Sequence, residues 1–218
     1  MSKLVPIAET IKIYLDYCFK IEANYTLEKK LNWLTTNPLK NISENNWSNI
    51  NNVYKNIVDN KLDLDELILS RSYSEQNNLQ SIDIWFGEPF NFMVEFDEKQ
   101  HFNHYRGHTL FENQFVGDFD LYKKLCQKVA KSGTSGFQKI RENLLFPWMN
   151  DGDKQDNRIR QRAFRDFLKD ILPLENSVNK TFRIPYTVTN KKIKDFDKDD
   201  LKNVLFYANS NKLYANFK

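Results

Sequence analysis

Three carboxylates on two predicted strands are placed to act together. The segment 81–97, SIDIWFGEPFNFMVEFD, alternates apolar and polar side chains around a Gly-Glu-Pro turn, which is typical of a β-hairpin. In a hairpin centred on Pro89, Asp83 and Glu95 lie opposite each other, with Cβ atoms about 4.5–5.5 Å apart. Asp97 follows two residues later and points to the same face.

This arrangement of like charges predicts a cation site. Carboxylates opposite each other destabilise a sheet unless a cation offsets the repulsion. We expect Mg²⁺, with Mn²⁺ as a substitute, because Mg²⁺ prefers oxygen ligands and keeps waters for a phosphate-bearing substrate. The alternative is a surface hairpin whose acids pair with nearby lysines. We expect the acidic face to be open to solvent. The opposite face is expected to be buried, and it carries Ile82, Ile84, Val94 and Phe96.

The acids and the residues that follow them resemble the PD-(D/E)XK nuclease superfamily, which includes many type II restriction endonucleases. The matching elements are Asp83, Glu95-Phe96-Asp97 and Lys99. The stretch VEFDEKQHF, residues 94–102, is closer still to the Glu-X-Asp-Gly-X-Gln-His pattern of the very-short-patch-repair-like branch, with a glutamate where that branch usually has glycine. The downstream pair Arg183-Ile184 is similar to the Arg-Ile strand of that branch.

The resemblance implies a restriction-endonuclease-like core of α/β or α+β class, with a mixed central sheet flanked by helices. It also implies Mg²⁺-dependent hydrolysis of DNA phosphodiesters, in which Asp83, Glu95 and Asp97 bind the metal. The implied catalytic residues are Asp83, Glu95, Asp97, Lys99, Gln100 and His101. Asp97 stands at the third motif position in place of lysine. The group that activates water is therefore left open, with Lys99 and Gln100 as candidates.

All three histidines of the chain lie within eight residues: His101, His104 and His108. A zinc site is the alternative to the nuclease interpretation, but the spacing lacks cysteine partners. The resemblance instead places His101 near the metal or the scissile phosphate. For the other two histidines we expect a loop beside Arg106, in contact with phosphate or with nothing.

The basic residues of the chain are concentrated rather than spread. The totals, 32 Lys and Arg against 29 Asp and Glu, give a net charge of +3. A concentrated basic region on a balanced chain favours a polyanionic partner. We predict that DNA contacts Lys123 and Lys124 on one helix and Arg158, Arg162 and Arg165 on a later one. The alternative for the later helix is an ordinary amphipathic helix with a solvated charged face.

The spacing of apolar residues predicts a helical subdomain over 1–70. Apolar residues recur every three or four positions over 7–34, which predicts a helix broken once and ended at Asn37-Pro38. Further helices are predicted within 39–60 and 63–69.

Residues 71–218 then form the predicted nuclease core with a C-terminal helical extension. After the hairpin, Asp118 or Asp120 caps a helix that ends near Ser132. The predicted helix that follows closes at Pro173. A strand is predicted over 181–184, and a last short helix begins near Asp199.

Composition excludes several classes of protein. No apolar run approaches the ~18 residues of a membrane-spanning helix, and we expect no secretory signal. Two cysteines, Cys18 and Cys126, are too few for a disulfide framework and favour a cytoplasmic protein. Aromatic residues make up 14% of the chain, which argues against disorder.

The expected function is that of a Mg²⁺-dependent endonuclease acting on double-stranded DNA, of the type II restriction kind. A palindromic target would require a two-fold homodimer, and no membrane partner is expected. Two rival functions remain: an RNA-directed or repair nuclease with the same core, and a nucleic-acid-binding module whose site is inactive. An intact set of acids argues against the inactive module.

Overall fold

Helices flank a mixed sheet of four strands, so the chain is of the mixed α and β class that we expected. The computed structural model describes residues 4–39, 42–132, 143–147 and 153–185. In chain order the elements are α1 (Leu4–Phe19), β1 (Tyr25–Leu27), β2 (Lys30–Thr35), α2 (Glu44–Ile57), α3 (Leu64–Leu67), α4 (Arg71–Glu75), β3 (Leu79–Ser81), β4 (Ile84–Phe86), β5 (Phe92–Asp97), a 3-10 turn (Lys99–His101), α5 (His104–His108), α6 (Phe119–Ser132), α7 (Asp153–Glu175) and β6 (Phe182–Pro185).

The predicted hairpin forms the centre of the sheet. The strand order is β1-β4-β5-β6, and β4 pairs antiparallel with β5 in the predicted register, with Ile84 opposite Val94. The turn is closed by the amides of Phe90 and Asn91, which donate to the carbonyl of Gly87 at 3.0 and 3.1 Å. On the other side of β5, β6 runs parallel to it.

The first strand of the hairpin is shorter than predicted. Residues Leu79–Ser81 form β3, which pairs with β2 in a separate two-stranded sheet, whereas β4 belongs to the main sheet. Asp83 lies at the bend between these two strands. The chain therefore changes sheets at the predicted site residue, and the bend turns the side chain of Asp83 towards the end of β5.

β5 is buried on both of its faces, which contradicts the expectation of an open acidic face. The four apolar positions predicted to be buried are buried. However, Glu95 is only 1% exposed, and Asp83 is half-buried. The reason is that α7 lies over the acidic face, where its side chains Lys169 and Asp170 bond to β5 and β6.

The helical interpretation of residues 20–34 is wrong, because this segment forms β1 and β2. Three- and four-residue spacing predicted a helix, but pairing with distant strands overrides that local pattern: Leu27 of β1 pairs with Ile84 of β4. Since β1 is the edge of the main sheet, the segment 1–70 is not a purely helical subdomain. Its other predicted helices are present as α1, α2 and α3.

Among the remaining described elements, α6 and β6 lie where the sequence predicts them, whereas α5 forms in place of the loop expected for His104 and His108. Asp118 caps α6 by accepting from the amide of Leu121 at 2.9 Å. α7 continues through Pro173 to Glu175 instead of closing at the proline. The helix predicted near Asp199 lies outside the described residues. Within the described part of the chain, no helix is long and apolar enough to span a membrane.

Two apolar cores hold the sheet between helices. On one side, α1 packs on the sheet through residues that include Ile7, Ile11 and Phe86. On the other side, α2 and α7 pack together through residues that include Tyr54 and Phe164. This second core fixes α7, and α7 supplies the charged side chains of the site.

Candidate active site

Glu95 is a buried carboxylate in β5 with a cation beside it. Its Oε2 accepts from Nζ of Lys169 on α7 at 2.7 Å, and both side chains are largely buried. Burial raises the pKa of Glu95 to about 7, and the charge of Lys169 offsets only part of that effect. Burial also opposes the charge on Lys169, but Glu95 and Asp166 outweigh it and raise the pKa of the lysine. A cationic lysine therefore faces a carboxylate that titrates near neutral pH.

Asp83 lies next to Glu95, as the hairpin register requires. Oδ2 of Asp83 accepts from the amide of Phe96 at 2.8 Å, and the amide of Asp83 lies 3.4 Å from Oε1 of Glu95. Burial raises the pKa of Asp83. The hydrogen bond from the amide of Phe96 and the charge of Lys169 oppose that rise. These carboxylate oxygens are incompletely neutralised. They are the donors that a hard divalent cation prefers, so Asp83 and Glu95 fit a Mg²⁺ or Mn²⁺ site.

Asp97, at the end of β5, is already enclosed by donors. NH1 of Arg183 donates to its two oxygens at 2.9 and 2.7 Å, and the hydroxyl of Tyr122 donates to Oδ2. Burial opposes the charge on Asp97, but Arg183 and His101 outweigh it and hold the pKa of Asp97 below its ordinary value. Arg183 also bonds Asp170 of α7 at 2.6 Å, so Asp97 belongs to a buried network that ties β5 and β6 to α7.

His101 lies between two carboxylates and a guanidinium group. Its Nδ1 is 3.1 Å from Oδ1 of Asp97 and 2.9 Å from Oδ2 of Asp166, and its Nε2 is 2.9 Å from NH1 of Arg162. Nδ1 faces acceptors and therefore carries a proton, whereas Nε2 faces a donor and must offer its lone pair. Burial lowers the pKa of His101, but the two carboxylates outweigh burial and raise it. Protonation would place a hydrogen on Nε2, so the protonated ring and the Arg162 contact exclude each other.

The ligand atoms of Asp97, His101 and Asp166 lie within 4.8 Å of one another. Among the described residues, this is the group of three acid and histidine side chains that could hold a metal. It differs from the predicted set of Asp83, Glu95 and Asp97, and nothing in its geometry selects Mg²⁺. The described residues thus offer two candidate sets of cation ligands, Asp83 with Glu95 and the group of Asp97, His101 and Asp166.

A cleft with a basic wall opens beside these residues. Its volume is about 340 Å³. One wall is formed by α7 and includes the predicted arginines. The other wall is formed by β3 together with Asn78, which precedes β3, and Thr36, which follows β2. The lining residues are Thr36, Asn78, Leu79, Gln80, Ser81, His101, Arg158, Arg162, Arg165, Asp166 and Lys169. Burial lowers the pKa of Arg165 to about 10, and the like charges of Arg158 and Arg162 add to that effect. The cleft thus concentrates cations that repel one another, an arrangement suited to an anion.

Gln100, Lys123 and Lys124 are not among the residues that line this cleft. Gln100 is on the 3-10 turn, where its amide donates to Glu98 at 3.3 Å. Lys99 is on the same turn, but its side chain is not among the described ones. On α6, Lys123 and Lys124 are exposed to solvent.

The other two histidines lie on α5. The ring of His104 lies against that of Tyr105, with centroids 3.8 Å apart, and burial lowers the pKa of His104. His108 is exposed to solvent. Neither histidine belongs to the group formed by His101.

Comparison with known proteins gives a family but no activity. A family of unknown function, DUF7255, matches residues 68–198, which is more than half of the chain. The chain belongs to DUF7255. The region shared with DUF7255 contains both hairpin acids, His101, Arg183 and the whole of α7. No curated protein and no solved structure matches the chain significantly.

Sequence reasoning missed the partners that hold the predicted acids. These partners include Lys169, Asp166, Asp170 and Tyr122, for which the sequence predicts no role in holding the acids. One signal was present for Arg183: a charged residue within the apolar strand Phe182–Pro185 needs a buried counter-charge. Its partners cannot be found from sequence alone, because they come from α7 and from β5.

Proposed function

We propose that this DUF7255 protein is a metal-dependent nuclease that hydrolyses DNA phosphodiester bonds, with double-stranded DNA as its substrate. One observation carries the proposal. Lys169 bonds Glu95 at 2.7 Å and also lines the cleft that contains the arginines. Lys169 therefore links the acids that could bind a metal to the cations that could bind a phosphodiester.

The acids have the chemistry of a Mg²⁺ site. Asp83 and Glu95 would hold the cation, with Mn²⁺ as a substitute. Such a cation supplies Lewis-acid stabilisation of the phosphate and lowers the pKa of bound water. Asp97 has a different role in this proposal. Because its oxygens already accept hydrogen bonds from Arg183 and Tyr122, it is not assigned as a metal ligand. Its contact with Nδ1 orients His101.

His101 is the proposed general base. The carboxylates of Asp97 and Asp166 hold its Nδ1 proton, so Nε2 is the nitrogen that can accept a second one. As a water oxygen bonds to phosphorus, Nε2 takes the water proton. The bond from phosphorus to the leaving oxygen breaks, and that oxygen takes a proton from solvent.

The cationic wall binds and stabilises the phosphate. Lys169 is fixed by Glu95 at the edge of the cleft, where its ammonium group stabilises negative charge on the reacting phosphate. Arg158 and Arg165 bind neighbouring phosphates of the backbone. In this proposal His101, rather than Lys99 or Gln100, is the group that activates water.

Plasmid cleavage in Mg²⁺ tests the proposal. Glu95→Gln and Asp83→Asn should each lower cleavage by orders of magnitude, since each removes a charged ligand. Glu88→Gln is the matched control, because Glu88 is an exposed glutamate at the tip of the same hairpin. A wild-type protein that cleaves neither DNA nor RNA, or a fully active Glu95→Gln variant, would refute the proposal. Cleavage of RNA but not DNA would correct its substrate.

A further inference from the structure

Arg162 contacts His101 at the ring nitrogen that would accept the proton. NH1 of Arg162 donates to Nε2 of His101 at 2.9 Å, and Nε2 is the nitrogen that the proposed mechanism needs as a base. While this contact exists, the lone pair of Nε2 is occupied. In the structure, therefore, the proposed base is oriented by its carboxylates but blocked by an arginine.

Arg162 is held weakly in this position. A guanidinium group bonds most strongly to an anionic acceptor, and a neutral imidazole nitrogen is a poor substitute. The Nε atom of Arg162 is buried and, within the described part of the chain, has no hydrogen-bond partner. An unpaired buried donor costs free energy, so this arrangement leaves the arginine incompletely satisfied.

The surroundings favour release of Arg162 towards an anion. Arg158, Arg165 and Lys169 line the same cleft, so Arg162 lies among like charges. The carboxylate of Asp166, also in the cleft, already faces Nδ1 of His101 at 2.9 Å. A phosphate in the cleft would offer charged oxygens to Nε and a terminal nitrogen of Arg162 together, as a bidentate pair.

We propose that Arg162 is a latch on His101, and that a phosphate group of the substrate releases it. Binding of the phosphate draws the guanidinium group off Nε2, and the imidazole is then free to accept a proton. Arg162 is a positioning residue with respect to His101 and a binding residue with respect to phosphate. The base becomes available only when the substrate is in place. This inference rests on the proposed function for the identity of the base, but not for the binding of phosphate.

Nuclear magnetic resonance of the imidazole nitrogens tests the latch without metal and without cleavage. The protein is titrated with inorganic phosphate in a chelator at fixed pH, and sodium chloride keeps the ionic strength constant. In the wild type, we expect the Nε2 signal of His101 to shift in a saturable way. The signals of His104 and His108, which lie outside the cleft, serve as internal references.

Two variants complete the test. Arg162→Met should give, without phosphate, a His101 spectrum with a free Nε2, and phosphate should then cause little further change. Arg165→Met removes the same charge from the same cleft without removing the contact to His101, so it should retain the latched spectrum. The latch is refuted if phosphate does not bind, or if the Arg165 side-chain signal reports binding while His101 stays unchanged. Because no cleavage is measured, either result leaves the plasmid test of the proposed function standing.

Discussion

Nζ of Lys169 lies 2.7 Å from Oε2 of Glu95, so this buried acid of the site has an internal cation as its neighbour. The two side chains come from elements far apart in sequence, α7 and β5. The sequence suggested that repulsion between Asp83 and Glu95 requires a bound metal. In the folded chain an ammonium group already offsets part of that repulsion. A metal at this site would therefore bind to Glu95 either in place of the ammonium group of Lys169 or together with it.

The first prediction concerns the pH dependence of stability in metal-free protein. The folded-state pKa of Glu95, about 7, lies above the ordinary carboxyl value, so ionisation of Glu95 costs stability as the pH rises. Lys169 offsets part of this cost. We therefore expect Lys169→Met to lose stability more steeply than the wild type as the pH rises through 7. The measurement is urea unfolding in a chelator at a series of pH values.

A double variant checks the cause of this slope. Lys169→Met combined with Glu95→Gln has no carboxyl group at position 95, so the extra slope should disappear. If the single and double variants lose stability in parallel as the pH rises, the slope comes from another group. Lys55→Met is a control, because Lys55 pairs with Asp63 at 2.6 Å on a different and more exposed surface.

The second prediction concerns Arg183, whose guanidinium group is completely buried. It bonds Asp97, Asp170 and the carbonyl of Asp166, and a lysine cannot reproduce this fork of donors. We expect Arg183→Lys to lower the free energy of unfolding by up to about 3–5 kcal/mol, the usual cost of removing one partner of a buried ion pair.

A conservative change at an exposed ion pair is the control for Arg183. The Arg71 side chain is 90% exposed, and it pairs with Glu75 at 2.7 Å within α4. Since exposed pairs contribute little, Arg71→Lys should leave the free energy of unfolding almost unchanged. Equal effects of the two substitutions in urea unfolding would show that the buried network is not important for stability.

The third prediction separates the two possible metal positions. Titration calorimetry with Mn²⁺ should show binding to the wild type. Asp83→Asn should weaken it by at least the ~10–100-fold that loss of even an outer partner of a metal typically costs. Asp166→Asn should change it less, because Asp166 belongs only to the group around His101. The opposite order of effects would place the metal at Asp97, His101 and Asp166.

The hairpin was predictable because its signal is local. Alternation around a turn fixes both the pairing and the register, and Ile84 pairs with Val94 as expected. The arginines of α7 were predictable for the same reason, since helical spacing puts Arg158, Arg162 and Arg165 on one face. Both inferences need only residues that are close in sequence.

The partners of the site were not predictable, because they depend on how α7 lies across the sheet. No pattern within residues 81–97 shows that Glu95 will be covered, or that Lys169 will cover it. The prediction for the residues of β1 and β2 was wrong for a similar reason. Their apolar residues fit a helix equally well, and they form strands because they pair with β4 and β3.

The last prediction concerns DNA binding through the cleft. In a chelator, where the proposed cleavage does not occur, the logarithm of the binding constant should fall linearly with the logarithm of the salt concentration. Arg158→Met and Arg165→Met should each weaken binding and reduce the steepness of that line by about one unit, the effect of losing one phosphate contact. Arg71→Met, which removes an exposed arginine outside the cleft, should leave the slope unchanged. The exposed pair Lys123 and Lys124 can be tested in the same way, as a double change to methionine. If the cleft variants and Arg71→Met give the same line, DNA does not bind along α7.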